Sequence, residues 1–316
     1  DALFSRPLTL PNANGLHARP AAVLAQAAKG FNASIYLHKQ TQSANAKSLV
    51  AIMALQTVQG DILQVSAAGD DAEAAIAALV ALLAQGCGEA IAAPGEEVEA
   101  VARVSSATLL RGVCASPGSA FGQVVQVAEP ELQIAEEGAG EATEQAVLAR
   151  GLLAASEALQ ALQAKAAGSA QAEIFRAHQE LLEDPTLLEQ AHALLANGKS
   201  AAFAWNRATV NTATLFHGLG NALLAERAAD LADVGQRVLK LILGVEERAW
   251  DLPEQAILIA EQLTPSQTAS LDTRKVLGFV TVGGGATSHV AILARALGLP
   301  AICGVPVQVL TLANGK

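Results

Sequence analysis

Two histidines stand where a transferable phosphoryl group could be held. His17 lies in NGLHARPAAVLAQAAKG and His289 in VTVGGGATSHVAILARALGLP, each at a junction between a loop and a helix. The first N–H groups of a helix have no intrahelical partner and the positive end of its dipole lies there, so a negative group attached to the imidazole is stabilised. Imidazole is nucleophilic at neutral pH and can hold phosphate as a labile phosphoramidate, which suits it to accepting a phosphoryl group and passing it on. Pro20 fits a first-turn position that needs no N–H, and Arg19 and Arg295 fall within the following turns as charge partners for phosphate oxygens. A lone histidine before a helix is commonly a cap or a solvated side chain, and a Gly-Gly-Gly turn also serves any tight strand-to-helix connection. What distinguishes these two is the combination of His, Arg and an anion-ready helix start. His38 falls in a strand, while His178, His192 and His217 fall in helical stretches where packed or solvated roles are favoured. Ser48, after Lys47, reads as a helix N-cap.

The elements that must position these residues follow from periodicity. From Pro7 to Leu83 strand-like and helix-like pieces alternate: PLTLP, a helix over Arg19 to Ala28, ASIYLHK, a short helix over Lys47 to Leu55, DILQVSAA, and a helix from Asp70 to Ala84. Cys87 to Thr108 breaks the pattern with Pro, Gly and acidic residues and reads as an interdomain linker. Strand-like GVCAS and GQVVQV follow. Amphipathic helices then fill about Glu141 to Gly244, and the α/β pattern returns from Ala256 with AILIA, TPSQTASL, VLGFVTV, the glycine loop, HVAILARALG and PAICG. A helical subdomain therefore looks inserted into an α/β domain.

Length and composition bound the function classes. The 316 residues suggest two or more domains, and a net charge of −10 argues against bulk attraction to nucleic acid or anionic membrane. The uncharged stretch Val276 to Ala294 carries four glycines, three hydroxyl residues and a His, a poor membrane span. The three cysteines have neither a disulfide framework nor a metal-site spacing, so no metal is expected. The chain opens at Asp1, and its one methionine is the internal Met53, without a basic and apolar leader. It is expected to be a piece of a longer cytoplasmic product.

The motifs carry a family resemblance. NGLHARPA, with KGF at 29–31 and AKSL at 46–49, resembles the histidine-containing phosphocarrier HPr of the bacterial phosphotransferase system. From Arg111 onward, GVCASPGSAFG, IFRAHQELLED, ERAADLADVGQRVLKLILG, LTPSQTASL, KVLGFVT and GGGATSHVAILARALGLPAI resemble the amino-terminal half of Enzyme I, the phosphoenolpyruvate-protein phosphotransferase. Both in one chain are similar to the multiphosphoryl transfer proteins, which add a sugar-specific IIA domain.

The resemblance implies a multidomain α+β chain. An HPr-like open-faced β-sandwich would occupy 1–88 and a linker 89–108. A swivelling α/β phosphohistidine domain would span 109–137 and 248–316, interrupted by a helical HPr-binding bundle at 138–247. His17 matches the carrier histidine, phosphorylated on Nδ1, with Arg19 as its phosphate partner. His289 matches the Enzyme I histidine, phosphorylated on Nε2, with Thr268 orienting its ring and Gly284, Gly285, Thr287, Ser288 and Arg295 completing the motif. Ser48 matches a serine that a regulatory kinase modifies in some bacteria. Ala286 and Val282 depart from the Arg and Asp common in that motif. The phosphoenolpyruvate- and Mg²⁺-binding barrel of Enzyme I is expected to lie beyond Lys316, so no cofactor is expected within this chain. The expected partners are that barrel, a IIA domain and, within the chain, the HPr part docked on the bundle. Residues 1–90 carry 5 basic against 6 acidic residues, leaving 15 against 24 for the rest. Arg19, Lys29 and Lys47 are therefore expected to face acids such as Glu180, Glu183 and Asp184. Rival readings are a regulatory nitrogen-type phosphotransferase and a docking module whose histidines do not turn over.

Overall fold

The structure, a computed structural model, describes residues 2–89, 109–127, 132–168, 170–218, 222–245, 252–269, 271–272, 274–284 and 288–315. The chain divides into two compact units.

The first unit joins Asp1–Glu97 to Ile134–Gln163 and Phe175–Leu243. Its amino-terminal part runs β1 (Leu3–Phe4), β2 (Leu8–Thr9), α1 (Ala18–Lys29), β3 (Ser34–Lys39), β4 (Gln42–Asn45), α2 (Leu49–Ala54), β5 (Ile62–Ala68) and α3 (Ala72–Ala84). The antiparallel sheet has the order β1-β5-β3-β4, with β2 also paired to β5. Alternation along β3 sends Ile35 and Leu37 into the core while Ser34 and Tyr36 face out. Ala21, Leu24, Ala25 and Ala28 line one stripe of α1 and are fully buried, as helical spacing requires. One sheet face is thus covered by helices and the other is open, the sandwich that the resemblance implies. β4 was not legible: QSAN is polar and its turn uses Gln40 at φ 52° rather than a glycine. The helix expected from Asp70 begins at Ala72, because the Asp71 carboxylate accepts from Asn32 N and Ala33 N, at 2.7 and 2.8 Å, instead of capping its own helix.

The helical part of this unit holds α4 (Glu141–Lys165), α5 (Ala170–Leu182), α6 (Pro185–Ala196), α7 (Ala201–Gly218) and α8 (Ala222–Leu243). Close helix approach depends on small residues: a Cβ on Gly235 of α8 would stand 2.8 Å from Thr209 Oγ1 of α7. His178 is fully buried here, its Nε2 3.2 Å from Asp230 Oδ1, a packed role of the kind expected for it.

The second unit comprises Val98–Gln133, Ala164–Ile174 and Gly244–Lys316. Its sheet has the order β6-β10-β9-β8-β7, from β6 (Val113–Ser116), β7 (Gln123–Gln126), β8 (Ala256–Ala260), β9 (Val276–Thr281) and β10 (Ala301–Cys303). β7, β8, β9 and β10 are parallel in sequence along the sheet, and β6 closes the β10 edge antiparallel. α9 (Pro265–Ala269) and α10 (His289–Leu297) connect the parallel strands, and Leu258, Phe279, Ala291, Ala294 and Ala301 form the core. AILIA is nearly continuous in apolar residues because a parallel strand is covered on both faces. The loop after β9 therefore opens at the carboxyl end of the parallel strands, the usual place for ligand chemistry in such sheets.

Candidate functional site

His17 is delivered by a constrained loop. Gly15 has φ 65°, and a Cβ there would lie 1.7 Å from the Thr57 carbonyl oxygen, so only glycine fits. Leu16 N donates to Thr57 Oγ1 at 2.8 Å, which pins the loop to the residues after α2. His17 then caps α1 in an extended conformation (φ −72°, ψ −172°), with its carbonyl accepting from Ala21 N and its side chain making no capping bond. The ring is thus free of helix duties at the start of α1. Its Nε2 lies 2.7 Å from Glu89 Oε1, and Asn12, almost wholly buried, donates through Nδ2 to Glu89 Oε2 (3.0 Å) and Gly86 O (2.9 Å). Glu89 was read as linker in the sequence, so this contact was missed. The pair of glycines flanking Cys87 was the available signal. Arg19 is exposed in the first turn of α1, two residues from His17.

The same unit seats the amino-terminal part on the helical part through one carboxylate. Asp184, fully buried, accepts from Ser48 Oγ (2.7 Å) and Val50 N (3.0 Å) on one side and from Thr186 N (3.0 Å) and Leu187 N (3.4 Å) on the other. It therefore caps α6, its own helix, and the start of α2 together. Thr186 Oγ1 donates to Ser48 Oγ at 2.8 Å, and Ser48 Oγ accepts from Ala51 N as the N-cap of α2. Lys29 Nζ meets Glu180 Oε2 at 2.8 Å. The expected basic-to-acidic pairing holds for Lys29 with Glu180 and needs correcting elsewhere. Lys47 Nζ donates to Phe31 O at 2.6 Å, Glu183 accepts from Gln179, and Asp184 meets neutral donors rather than a cation. Ser48 has no exposed surface in this arrangement, so a kinase reaches its hydroxyl only after the two parts separate.

Burial pushes the Asp184 carboxyl above its ordinary 3.8, the bonds from Val50, Ser48, Thr186 and Leu187 opposing that only in part. The seated state then binds more protons than the separated one across the window from 3.8 upward to the raised value. Seating should therefore weaken as pH rises through that window and level off above it. Amide hydrogen exchange at residues 48–51 and 184–187 across acidic pH reads this directly, and strengthening with rising pH would contradict it.

In the second unit, the loop after β9 holds Gly283 N to Glu261 O (2.7 Å) and Thr281 Oγ1 to Gly283 O (2.8 Å). Gly284 has φ 83°, and a Cβ there would press on Ser288 Cβ at 3.0 Å. Ser288 is the N-cap of α10, accepting from Ala291 N, and its Oγ lies 3.8 Å from Cys303 Sγ. His289 opens α10 as its first residue. The His289 side chain, together with Gly285, Ala286 and Thr287, lies outside the described residues. Thr268 is buried in α9 and its hydroxyl donates to Pro265 O at 2.9 Å, leaving its oxygen lone pairs for an incoming donor. Arg295 sits six residues along α10 from His289, about 9 Å up the helix axis, and its Nη1 donates to Ala115 O of β6 at 3.0 Å. That bond ties α10 to the sheet edge. Among the described residues no group of three or more His, Cys, Asp or Glu is placed to hold a metal, and no helix is long and apolar enough to cross a membrane.

Comparison with known proteins defines the class. The family of the PTS HPr component phosphorylation site matches residues 4–85, the PEP-utilising enzyme N-terminal family matches 111–227, and the PEP-utilising enzyme mobile domain matches 252–316. These are phosphotransferase-system domains. The chain carries an HPr domain followed by the N-terminal and mobile domains of PEP-utilising enzymes in one polypeptide. It is 38% identical to a multiphosphoryl transfer protein of Xanthomonas campestris pv. campestris over 97% of this chain and 38% of that protein. It is 32% identical to the PEP-dependent dihydroxyacetone kinase, phosphoryl donor subunit DhaM, of Klebsiella michiganensis over 98% of this chain and 63% of that protein. The solution structure of Enzyme I (nEIt) is 36% identical, covering 66% of this chain and 87% of that one, with a TM-score of 0.49. The chain thus spans less than two thirds of the length of these curated relatives.

Proposed function

We propose that the chain is the relay section of a phosphoenolpyruvate-dependent phosphotransferase. His289 receives a phosphoryl group on Nε2 and His17 takes it on Nδ1 for delivery to a IIA-type acceptor. The observation that supports this most is the freedom of His17: it heads α1 in extended conformation without a capping bond, in the same unit as the helical platform. Transfer between imidazoles asks for in-line placement and charge stabilisation more than for covalent chemistry. The bond from phosphorus to Nε2 of His289 breaks as the bond to Nδ1 of His17 forms, and the departing ring keeps the electron pair. Arg19, exposed in the first turn of α1, is available to the oxygens on His17, and Arg295 lies on the helix that His289 heads. Thr268, Gly284, Gly285, Thr287 and Ser288 shape the His289 site. Phosphoenolpyruvate and Mg²⁺ belong to the barrel of Enzyme I and not to these residues. A sugar-uptake pathway in the cytoplasm is the reading favoured by the likeness to the multiphosphoryl transfer proteins.

A second reading has a specific observation behind it. The relative of Klebsiella michiganensis is a phosphoryl donor to a dihydroxyacetone kinase and matches nearly the whole of this chain. In that case the same relay ends on a kinase rather than on a sugar permease. Both readings share the first test. The chain is incubated with phosphoenolpyruvate, Mg²⁺ and a complete Enzyme I, and phosphohistidine is mapped by mass spectrometry at neutral to alkaline pH. Label is expected on His17, and its absence there would sink the carrier assignment. Supplying phosphorylated HPr to the parent and to His289→Ala then tests the second site, where equal labelling would remove His289 from the relay.

A further inference from the structure

We infer that Glu89 is a positioning residue for His17, holding Nε2 so that Nδ1 presents its lone pair to the phosphoryl group; this rests on the relay reading above. Three observations converge on it. The first is the contact itself, 2.7 Å from His17 Nε2 to Glu89 Oε1, with both side chains about one-fifth exposed. A carboxylate at that distance accepts a hydrogen bond from Nε2–H and so leaves Nδ1 as the unprotonated nitrogen, the arrangement by which carboxylates fix imidazole tautomer and orientation at other sites.

The second is how the chain reaches that point. Gly86, Cys87 and Gly88 all have positive φ, at 72°, 50° and 82°. Glycine adopts this backbone freely, but cysteine does not, so Cys87 holds a strained conformation that its surroundings must impose. Cys87 is fully buried, and Glu89 N donates back to Gly86 O at 3.1 Å. The turn reverses the chain after α3 and brings Glu89 over the start of α1. A segment that merely left the domain would need no such turn.

The third is the support behind the carboxylate. Asn12 is 3% exposed and uses one amide nitrogen to grip both Gly86 O and Glu89 Oε2. The glutamate is thus gripped at one oxygen by Asn12 while the other faces the ring. When Nδ1 attacks phosphorus, the P–N bond forms there, the donor imidazole leaves with its electron pair, and the His17 ring gains positive charge. The Nε2 proton stays in its bond to Glu89, whose negative charge offsets that gain.

The test uses the 316-residue chain as parent, Glu89→Ala and Glu89→Gln, phosphorylated by phosphoenolpyruvate, Mg²⁺ and complete Enzyme I. Glu89→Ala should slow His17 labelling about tenfold, the lower end for loss of a supporting carboxylate. Glu89→Gln keeps a hydrogen-bond acceptor without the charge and should fall between the two. Proton spectra of the unphosphorylated chain should show a downfield imidazole N–H signal that His17→Ala and Glu89→Ala both remove and Glu89→Gln retains. A merely structural role would leave that signal in place. A labelling rate or an N–H signal in Glu89→Ala equal to the parent's overturns the inference. Failure of the parent itself to label at His17 would instead overturn the relay reading, while the N–H signal still decides where Glu89 sits.

Discussion

His17→Ala is expected to abolish phosphoryl acceptance within residues 2–89 while leaving the fold there intact. The imidazole is the one nucleophile that the helix start presents, and no neighbouring group substitutes for it. The structural cost is small for a definite reason. His17 is an N-cap whose side chain makes no capping bond, so its removal forfeits its partly exposed contact with Glu89 but not the ~1 kcal/mol that a bonded cap contributes. The loop that delivers it is held instead by Gly15 and by the bond from Leu16 N to Thr57 Oγ1. Phosphohistidine mapping should therefore lose all label from this part, with the thermal midpoint close to the parent's. Label elsewhere in residues 2–89 of the variant would mean that another group is the acceptor.

Asp184→Ala should unseat the amino-terminal part from the helices. The substitution strands buried donors on both sides at once: Ser48 Oγ and Val50 N from one part, Thr186 N from the other. A buried donor left unsatisfied costs roughly 1–3 kcal/mol, and since separation lets water reach these groups, about 3 kcal/mol of seating free energy should be lost, a factor of about 100 or more. Hydrogen exchange would show it as lost protection at residues 48–51 and 184–187, with β3 and β5 still protected. Urea unfolding should split into two transitions. A single transition at the parent's midpoint would show that Asp184 caps only its own helix.

How far the sequence foretold this depends on the kind of signal. His17 and the start of α1 were legible because a loop glycine, a cap position and Pro20 are local features. Asp184 was noticed as an acid on a helix face, and its actual role could have been read from the Asp-Pro pair that opens α6. Its second role, capping α2, depends on two segments 134 residues apart in sequence and has no local trace. Glu89 was lost for a different reason. Glycine and charge after a helix signal a linker by composition, and three left-handed residues in succession are a tertiary outcome. Arg295 was legible as a basic residue on the helix that His289 heads, whereas its bond to the β6 carbonyl, 180 residues away in sequence, has no local trace. The acidic surplus of residues 91–316 foretold Lys29 with Glu180, since long-range complementarity follows net charge more faithfully than it follows any particular pair.

The pairing of β7 with β8 has a consequence for biosynthesis. Gln123–Gln126 lies parallel to Ala256–Ile259, and Val113–Ser116 against Ala301–Cys303, so the first two strands of that sheet emerge well over 100 residues before their partners. At roughly 5–20 residues per second, they wait on the order of ten seconds on the ribosome as unpaired edges. Helices α4 to α8 are made during that interval and can pack in the meantime. Translation order would then make the five-stranded sheet the last part to complete, and stalling between Leu243 and Ala256 should leave a nascent chain whose exposed β7 is open to chaperones.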